Sequence, residues 1–332
     1  MKKDVTIKDV AKRAGVAPST VSRVLTNSPG VGPKTREQIK RILREMGYRP
    51  NAAARGLVHS KNQAIGLVVP CGLSLYFGNP YFTEVVSGIA ETAATRGYHL
   101  VLYTPPPGEG AGPIITDRRT DAFIVMGTKR DDPLLPMLQE WGVPVVLINR
   151  RQPRLPGIYC VDAANEEGGR LGAQFLAGRG IEEVAVLMGP RDAPVAWDRY
   201  QGFVLECERL QLHITAELEG EFLENRAYEL VRELIGTGRL PQAFFAVNDM
   251  MAIGCLRACR DLGVKVPQEV SVLGFDDIQL ATFVTPSLTT IRLPTYAMGA
   301  EAARVAIRGV EGESAEELTV LPVELVERAS VR

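Results

Sequence analysis

From residue 62 onward the chain alternates short apolar, β-rich runs with stretches of helical periodicity, and this alternation is the tightest constraint on its fold. In the first half the runs are Ala64 to Val69, His99 to Tyr103, Ala122 to Met126 and Val145 to Ile148, interleaved with helical patterns from Pro80 to Arg96 and Leu134 to Trp141. The second half repeats the scheme. Helices are expected over Glu166 to Ala177, Trp197 to Leu210, Arg226 to Ile235 and Asp249 to Leu262, and apolar runs over Val184 to Met188, Ala243 to Val247 and Val270 to Gly274. Continuous apolar strands separated by helices specify parallel sheets with helices on both faces, and two such halves specify two lobes. In open sheets of this kind ligands bind beyond the carboxyl ends of the strands, so a small molecule is expected in the cleft between the lobes.

Charge divides the chain at a different place. Residues 1 to 60 hold thirteen basic residues against four acidic ones, a net +9, and the remainder carries 25 basic and 35 acidic residues, so a total of -1 conceals a basic head on an acidic body. That asymmetry is the footprint of a nucleic-acid module joined to a body that does not bind nucleic acid. The head begins with Thr6 and Asp9 spaced as a capping box and runs to a C-cap glycine at Gly15, with Ile7, Val10, Ala11 and Ala14 on one apolar stripe. Pro18 then opens a second helix through Leu25, in which Val21, Val24 and Leu25 are expected to face inward and Pro18, Ser19, Ser22 and Arg23 outward. Two helices across a glycine-containing turn make a helix-turn-helix, whose second helix presents its N-terminal residues to base edges. A third helix is expected from Lys34 to Met46, with Ile39, Ile42, Leu43 and Met46 buried and Gly47 ending it.

Residues Thr6 to Val10, Ala14-Gly15-Val16, Thr20 to Val24, Thr35-Arg36, Gly47-Tyr48 and Pro50-Asn51 closely resemble the DNA-binding head of the LacI family of bacterial repressors, a group that includes lac and purine repressors. The resemblance continues through Asn51 to Leu57, which is similar to the family's hinge helix. Asn51 is a good N-cap, the alanines around Ala54 permit two such helices to pack closely, and a helix this short is unstable alone in water. The resemblance implies that Leu57 wedges into the central minor-groove step of an operator and kinks it. It also implies that Arg23 reads a base edge, that Pro18 and Ser19 occupy variable specificity positions, and that Thr6, Thr20, Ser22, Thr26 and Thr35 hold phosphates. Thr26 and Gly32 depart from the residues common in relatives.

The body looks like a periplasmic-binding-protein fold, the sensor of the same family. Asn79 to Phe82, Arg199 with Gly202-Phe203, Val247 to Asp249, Gly274 to Asp277 and Pro286 to Ile291 carry that likeness. The whole chain is thus expected to be a small all-α helix-turn-helix head plus an α/β body of two lobes with parallel sheets. The head spans 1-50, a hinge helix and linker 51-61, and an effector-binding and dimerisation domain 62-332. Lobe 1 takes about 62-161 and 292-319, and lobe 2 about 162-291 and 320-332. A strand near Leu318 to Leu325 is expected to return the chain to lobe 2, and the Pro/Gly-rich residues 104 to 120 to be irregular.

Arg199, Asn248 and Asp276 fall at ends of elements that line the cleft and suit the vicinal hydroxyls of a carbohydrate, since a carboxylate accepts two O–H bonds and a guanidinium donates in a planar fork. Phe222, Trp197, Tyr81 and Phe82 are the candidate aromatic surfaces, with Asn149 at the mouth of lobe 1. The alternative readings are that Arg199 and Asp276 form a structural salt bridge that closes the lobes, and that Tyr81-Phe82 stacks a flat nucleobase. The expected protein is a homodimeric regulator of double-stranded operator DNA, a repressor controlled by a small effector, with a non-DNA-binding sugar-binding protein as the competing class.

No enzyme is expected, because nothing places a carboxylate opposite Asp276-Asp277 across a scissile bond. No cofactor or metal is expected either. Cys71, Cys160, Cys207, Cys255 and Cys259 form an odd, scattered set without a CxxC pair, and His59, His99 and His213 have no ligand spacing. Lacking a membrane-length apolar run or a signal-like start, the chain is expected in the cytoplasm.

Overall fold

The structure, a computed structural model, describes residues 5–25, 28–48, 62–69, 78–104, 119–128, 132, 134–140, 142–150 and 157–332. The chain divides into two compact units, residues 1–62 and 63–332. In the first unit, helices α1 (Ile7–Ala14), α2 (Pro18–Leu25) and α3 (Pro33–Glu45) follow one another. Thr6 caps α1 reciprocally: its Oγ1 accepts from the Asp9 amide at 3.4 Å while its own amide donates to the Asp9 carboxylate at 2.9 Å. Gly15 closes the helix at φ +68°, a left-handed conformation that any side chain would strain. Val10, Ala11, Ala14, Val21, Val24, Ile39 and Ile42 form the buried core of this unit, and Leu43 and Met46 are partly buried against it. Leu25 departs from expectation and is 36% exposed. It is the last residue of α2, so no further turn of the helix covers it although it shares a face with Val21.

The second unit is the expected two-lobed body. Its first sheet contains β1 (Ala64–Val68), β2 (His99–Tyr103), β3 (Ala122–Met126), β4 (Val145–Ile148), β5 (Ile158–Ala163) and β11 (Leu318–Leu321), in the spatial order β11-β5-β4-β3-β1-β2 with every pairing parallel. The second contains β6 (Glu183–Met188), β7 (His213–Glu219), β8 (Ala243–Ala246), β9 (Ser271–Asp276), β10 (Thr289–Arg292) and β12 (Glu324–Val326), in the order β12-β10-β9-β8-β6-β7. Within it only β12 runs antiparallel, against β10. Helices α4 (Pro80–Thr95), α5 (Leu134–Glu140) and α11 (Thr295–Glu311) belong with the first sheet. Helices α6 (Asn165–Gly178), α7 (Pro194–Leu210), α8 (Glu224–Gly236), α9 (Asp249–Asp261) and the short α10 (Leu280–Phe283) belong with the second.

The chain crosses between the lobes three times, after Ala163, Arg292 and Leu321. The segment expected as one returning strand is two: β11 completes the first sheet, and β12 joins the second after a break at Pro322-Val323. A prolyl residue cannot donate to a ladder, which suits the break. The first sheet therefore holds the chain to Ala163 and to Leu321, two residues beyond the expected changeovers in each case. Strands β5, β7 and β10 are not among the runs expected from the sequence; β7 alternates exposed and half-buried residues at a sheet edge and lacks the continuous apolar signature of its neighbours. The stretch from 105 to 118 lies outside the described residues, as do the hinge segment, Thr26, Cys71, His59 and Trp141.

Helices α6 and α7 meet at two glycines. A Cβ on Gly202 would lie 1.9 Å from the Glu166 carbonyl oxygen, and one on Gly169 would lie 2.2 Å from the Arg199 carbonyl oxygen. Backbones packed this closely fix where Arg199 leaves α7.

Candidate functional site

Arg199 is 3% exposed and reaches from α7 to the end of β9, where its Nη1 lies 2.8 Å from Asp276 Oδ1. The same nitrogen donates to the Val247 carbonyl at 2.6 Å, Nε donates to Asn165 Oδ1 at 2.9 Å, and the guanidinium lies 4.2 Å from the centre of the Phe275 ring. A guanidinium so far from water needs such a set of acceptors. Asn165 in turn donates to Asp162 Oδ1 at 2.9 Å, so the cation is anchored to the first crossover. Nη2 forms no hydrogen bond among the described residues.

Asp276 is 5% exposed, with φ of +120°, and Asp277 follows at φ +60°. Non-glycine residues in such regions cost about 1–3 kcal/mol each and persist where surrounding contacts determine them. Burial pushes the Asp276 carboxyl up to about 6, against the opposing pull of Arg199 and a hydrogen bond from the Asp249 amide. Asp249, wholly buried at the start of α9, accepts from the Ile278 amide at 2.9 Å and from the Thr290 hydroxyl at 2.6 Å. Its own carboxyl is raised well above the ordinary range, first by burial and then by Asp276. Asn248 caps α9 through the Met251 amide at 2.9 Å and donates to the Phe222 carbonyl at 3.3 Å. The Phe222 ring lies against Gly189, where a Cβ would come within 2.6 Å of it.

From the first lobe, Tyr81 and Asn149 join this group. Asn149 Nδ2 donates to the Tyr81 hydroxyl oxygen, and Asn149 stands at φ +62° just past β4. The Tyr81 hydroxyl is pushed far above its usual range by burial and then by the field of Asp276, with Arg199 opposing. The two lobes therefore meet electrostatically at these three residues. Phe82 sets its ring edge-on to Tyr81 at 5.1 Å. Trp197 is not brought into the cluster. Its ring packs on Tyr200 at 5.5 Å, and among the described residues it shares no hydrogen bond or ring contact with Arg199, Asn248 or Asp276. Asp249, Phe275 and Thr290 stand inside segments that carry the family likeness but were not among the candidate site residues, and nothing local marks Asn165 or Asp162.

The acidic pair Asp276-Asp277 is divided in its partners. Asp277 is held by Arg328 Nη2 at 2.5 Å and Arg292 Nε at 2.6 Å, so it stands committed to ion pairs away from Arg199. Cys160, Cys207, Cys255 and Cys259 are buried, and burial pushes the Cys207 thiol up to about 12. Among the described residues no group of three or more potential ligands could hold a metal ion, and no helix is long and apolar enough to cross a membrane.

In the head, Pro18, Ser19 and Arg23 are exposed on α2, and Thr20 and Ser22 are half-buried beside them. Thr35 is half-buried in the first turn of α3. The Thr6 hydroxyl donates to Asp9 Oδ2 at 2.7 Å as part of the cap. Thr26, Asn51, Ala54 and Leu57 lie outside the described residues.

A helix-turn-helix head and a two-lobed, periplasmic-binding-protein-like body define a ligand-binding regulator. Residues 6–51 match the bacterial regulatory proteins of the lacI family, and residues 173–331 match the periplasmic binding protein-like domain. The chain is 35% identical to the HTH-type transcriptional regulator CelR of Thermobifida fusca over 328 residues, 97% of this chain and 95% of CelR. It is 30% identical over 335 residues to the HTH-type transcriptional repressor PurR of Pectobacterium carotovorum subsp. carotovorum, covering 98% and 96% of the two chains. Among solved structures, a lac repressor dimer bound to operator and the anti-inducer ONPF superposes with a TM-score of 0.88 at 26% identity, covering 99% of each chain. A CelR–cellobiose complex superposes with a TM-score of 0.75 at 32% identity, covering 98% of this chain and 99% of the other. The chain belongs to the lacI family of bacterial regulatory proteins and is a DNA-binding transcriptional regulator.

Proposed function

We propose that this regulator binds a pseudopalindromic operator as a homodimer and is controlled by a small saccharide held between its lobes. The single observation that carries the effector class is the buried Arg199–Asp276 pair facing the Tyr81–Asn149 pair across the cleft. A saccharide supplies hydroxyl donors to Asp276 and acceptors to Arg199 Nη2, and an apolar ring face to Tyr81, Phe82 or Phe222. Asn149 Oδ1, buried without a donor, would be satisfied by an effector hydroxyl. The cellobiose complex of CelR supports a glucose disaccharide as the first ligand to try.

Residues 1–50 serve as the head, 51–61 as the hinge and 62–332 as the effector-binding and dimerisation domain. On operator DNA, Arg23 reads a base edge, Pro18 and Ser19 tune specificity, and Thr6, Thr20, Ser22, Thr26 and Thr35 hold phosphates. Asn51 and Ala54 support a paired hinge helix whose Leu57 wedges the central step. Arg199, Asp276, Asn248, Tyr81, Phe82, Asn149, Phe222 and Trp197 serve the effector, with Trp197 the most peripheral. The protein acts in the cytoplasm as a binding protein, without catalysis.

The edge-on Tyr81–Phe82 pair also suits a flat heterocycle, and similarity to PurR supports a nucleobase as the second reading. Thermal-shift and calorimetric titration with cellobiose, other disaccharides, hypoxanthine and guanine separates the two. Saturation by ligand at about 100 times Kd adds ~2.7 kcal/mol, an easily seen shift. A saccharide hit lost in Asn149→Ala supports the first reading, and a purine hit alone replaces it.

A further inference from the structure

The three interlobe crossovers are each bonded to the Arg199–Asp276 site or to one another. At the first, Asn165 accepts from Arg199, and the Ala164 amide donates to the Leu321 carbonyl of the third at 2.9 Å. At the second, the Leu293 amide donates to the carbonyl of Asp276 itself at 3.2 Å. Arg292, the last residue before that crossover, is the register partner of Asp276 on one side and of Glu324 on the other. Its Nε lies 2.6 Å from Asp277 Oδ2, and its Nη1 lies 2.6 Å from Glu324 Oε1, the first residue of β12 after the third crossover.

Neutralising Asp277 does not require Arg292. Asp277 already has Arg328, whose guanidinium is also fixed on the Leu288 carbonyl at 2.7 Å. What Arg292 adds is a bridge from the left-handed Asp276-Asp277 turn to two crossovers at once. Exposed ion pairs contribute little, and the Glu324 end of this bridge is 63% exposed, but its Asp277 end is 7% exposed and a guanidinium holds both partners in one planar fork.

We propose that Arg292 is a positioning residue that locks the second and third crossovers to the Asp276-Asp277 turn, so that effector occupancy at Asp276 is converted into a change of angle between the lobes. This rests on the reading of Asp276 as an effector contact. A two-state element biased from the site is what such coupling requires.

The test is a distance measurement within the full-length protein. Nitroxide labels are placed at Ala94→Cys on the first lobe and Arg239→Cys on the second, in a Cys71→Ser background, with labelled protein diluted into unlabelled. The unmodified lock is expected to give one narrow interlobe distance. Arg292→Gln and Glu324→Gln are each expected to broaden it toward a longer second distance, and Arg292→Lys, which keeps the charge, to stay nearer the original. Glu324 is exposed, so its variant keeps the test valid if Arg292→Gln fails to fold. Unchanged distributions in both neutral variants would overturn the proposal. Cellobiose titration of the same samples tests the effector reading separately. A broadened distance with no response to any saccharide leaves the lock standing and removes the sugar.

Discussion

Arg199 and Asp276, 77 residues apart in the chain, form an ion pair at 2.8 Å in which the side chains are only 4% and 5% exposed. Both charges have left water, so neither is tolerable without the other. Replacing Arg199 with Met is expected to cost about 3–5 kcal/mol of stability, because it leaves a buried carboxylate uncompensated. Asp276→Asn should cost less, since its amide oxygen still accepts from Nη1. Urea unfolding of the two variants checks the order, and equal stability of Arg199→Met and the parent would refute it.

The pH response follows from the same pair. The Asp276 carboxyl is raised from an ordinary 3.8 to about 6, so it takes up a proton as pH falls through 6 and loses its ability to accept on both oxygens. Saccharide affinity is therefore expected to be flat above pH 7 and to decline below about 6, by calorimetry. For stability the sign is opposite to that of an ordinary paired carboxylate. A folded pKa above the unfolded one favours the native state below pH 3.8, and this contribution is lost as pH rises to 6. Asp276→Asn should abolish the affinity trend and remove the Asp276 share of the stability trend, leaving that of Asp249, whose carboxyl is raised first by its own burial.

Glu206 titrates in the other direction. Hydrogen bonds from Arg209 and then Gln174 hold its carboxyl down at about 2 against an ordinary 4.5. Its contribution to stability is present above pH 4.5 and disappears as pH falls toward 2. Glu206→Gln is expected to flatten that part of the acid limb in urea midpoints measured from pH 2 to 6.

Gly202→Ala is expected to destabilise the body by about 1–3 kcal/mol, since its Cβ would enter the Glu166 carbonyl oxygen and push α7 off α6. Because the shift carries Arg199 with it, ligand affinity should fall by more than stability alone explains. A fully stable Gly202→Ala protein with unchanged affinity would show that the helix spacing does not position Arg199.

In the head, Thr6→Ala and Arg23→Ala should separate folding from recognition. Loss of the cap is expected to cost ~1 kcal/mol, visible as faster amide exchange in α1. Arg23→Ala should leave exchange unchanged while relaxing preference at one operator base by ~1–3 kcal/mol, read from a panel of single-base operator variants.

The local features were legible in the sequence because they are written in neighbouring residues. Thr6, Asp9 and Gly15 define α1 by capping chemistry within one short segment, and the continuous apolar runs of β1, β3 and β6 require burial on both faces wherever they are placed. Arg199, Asn248 and Asp276 were recognisable as site residues, but their bonds were not. That Arg199 is anchored by Asn165, that Asp249 holds the turn beyond Asp276, and that Asp277 answers to Arg292 and Arg328 depend on strands and helices brought together from distant parts of the chain. Leu25 marks the same limit: periodicity places it on the face of Val21, and what lies beyond the end of α2 decides how far it is covered. The sequence by itself determined the capped helices and the continuous apolar strands such as β1, β3 and β6, through propensities that act over a few residues. Only the tertiary structure decided which buried charges meet, because their partners are chosen by packing across the sheets and not by order along the chain.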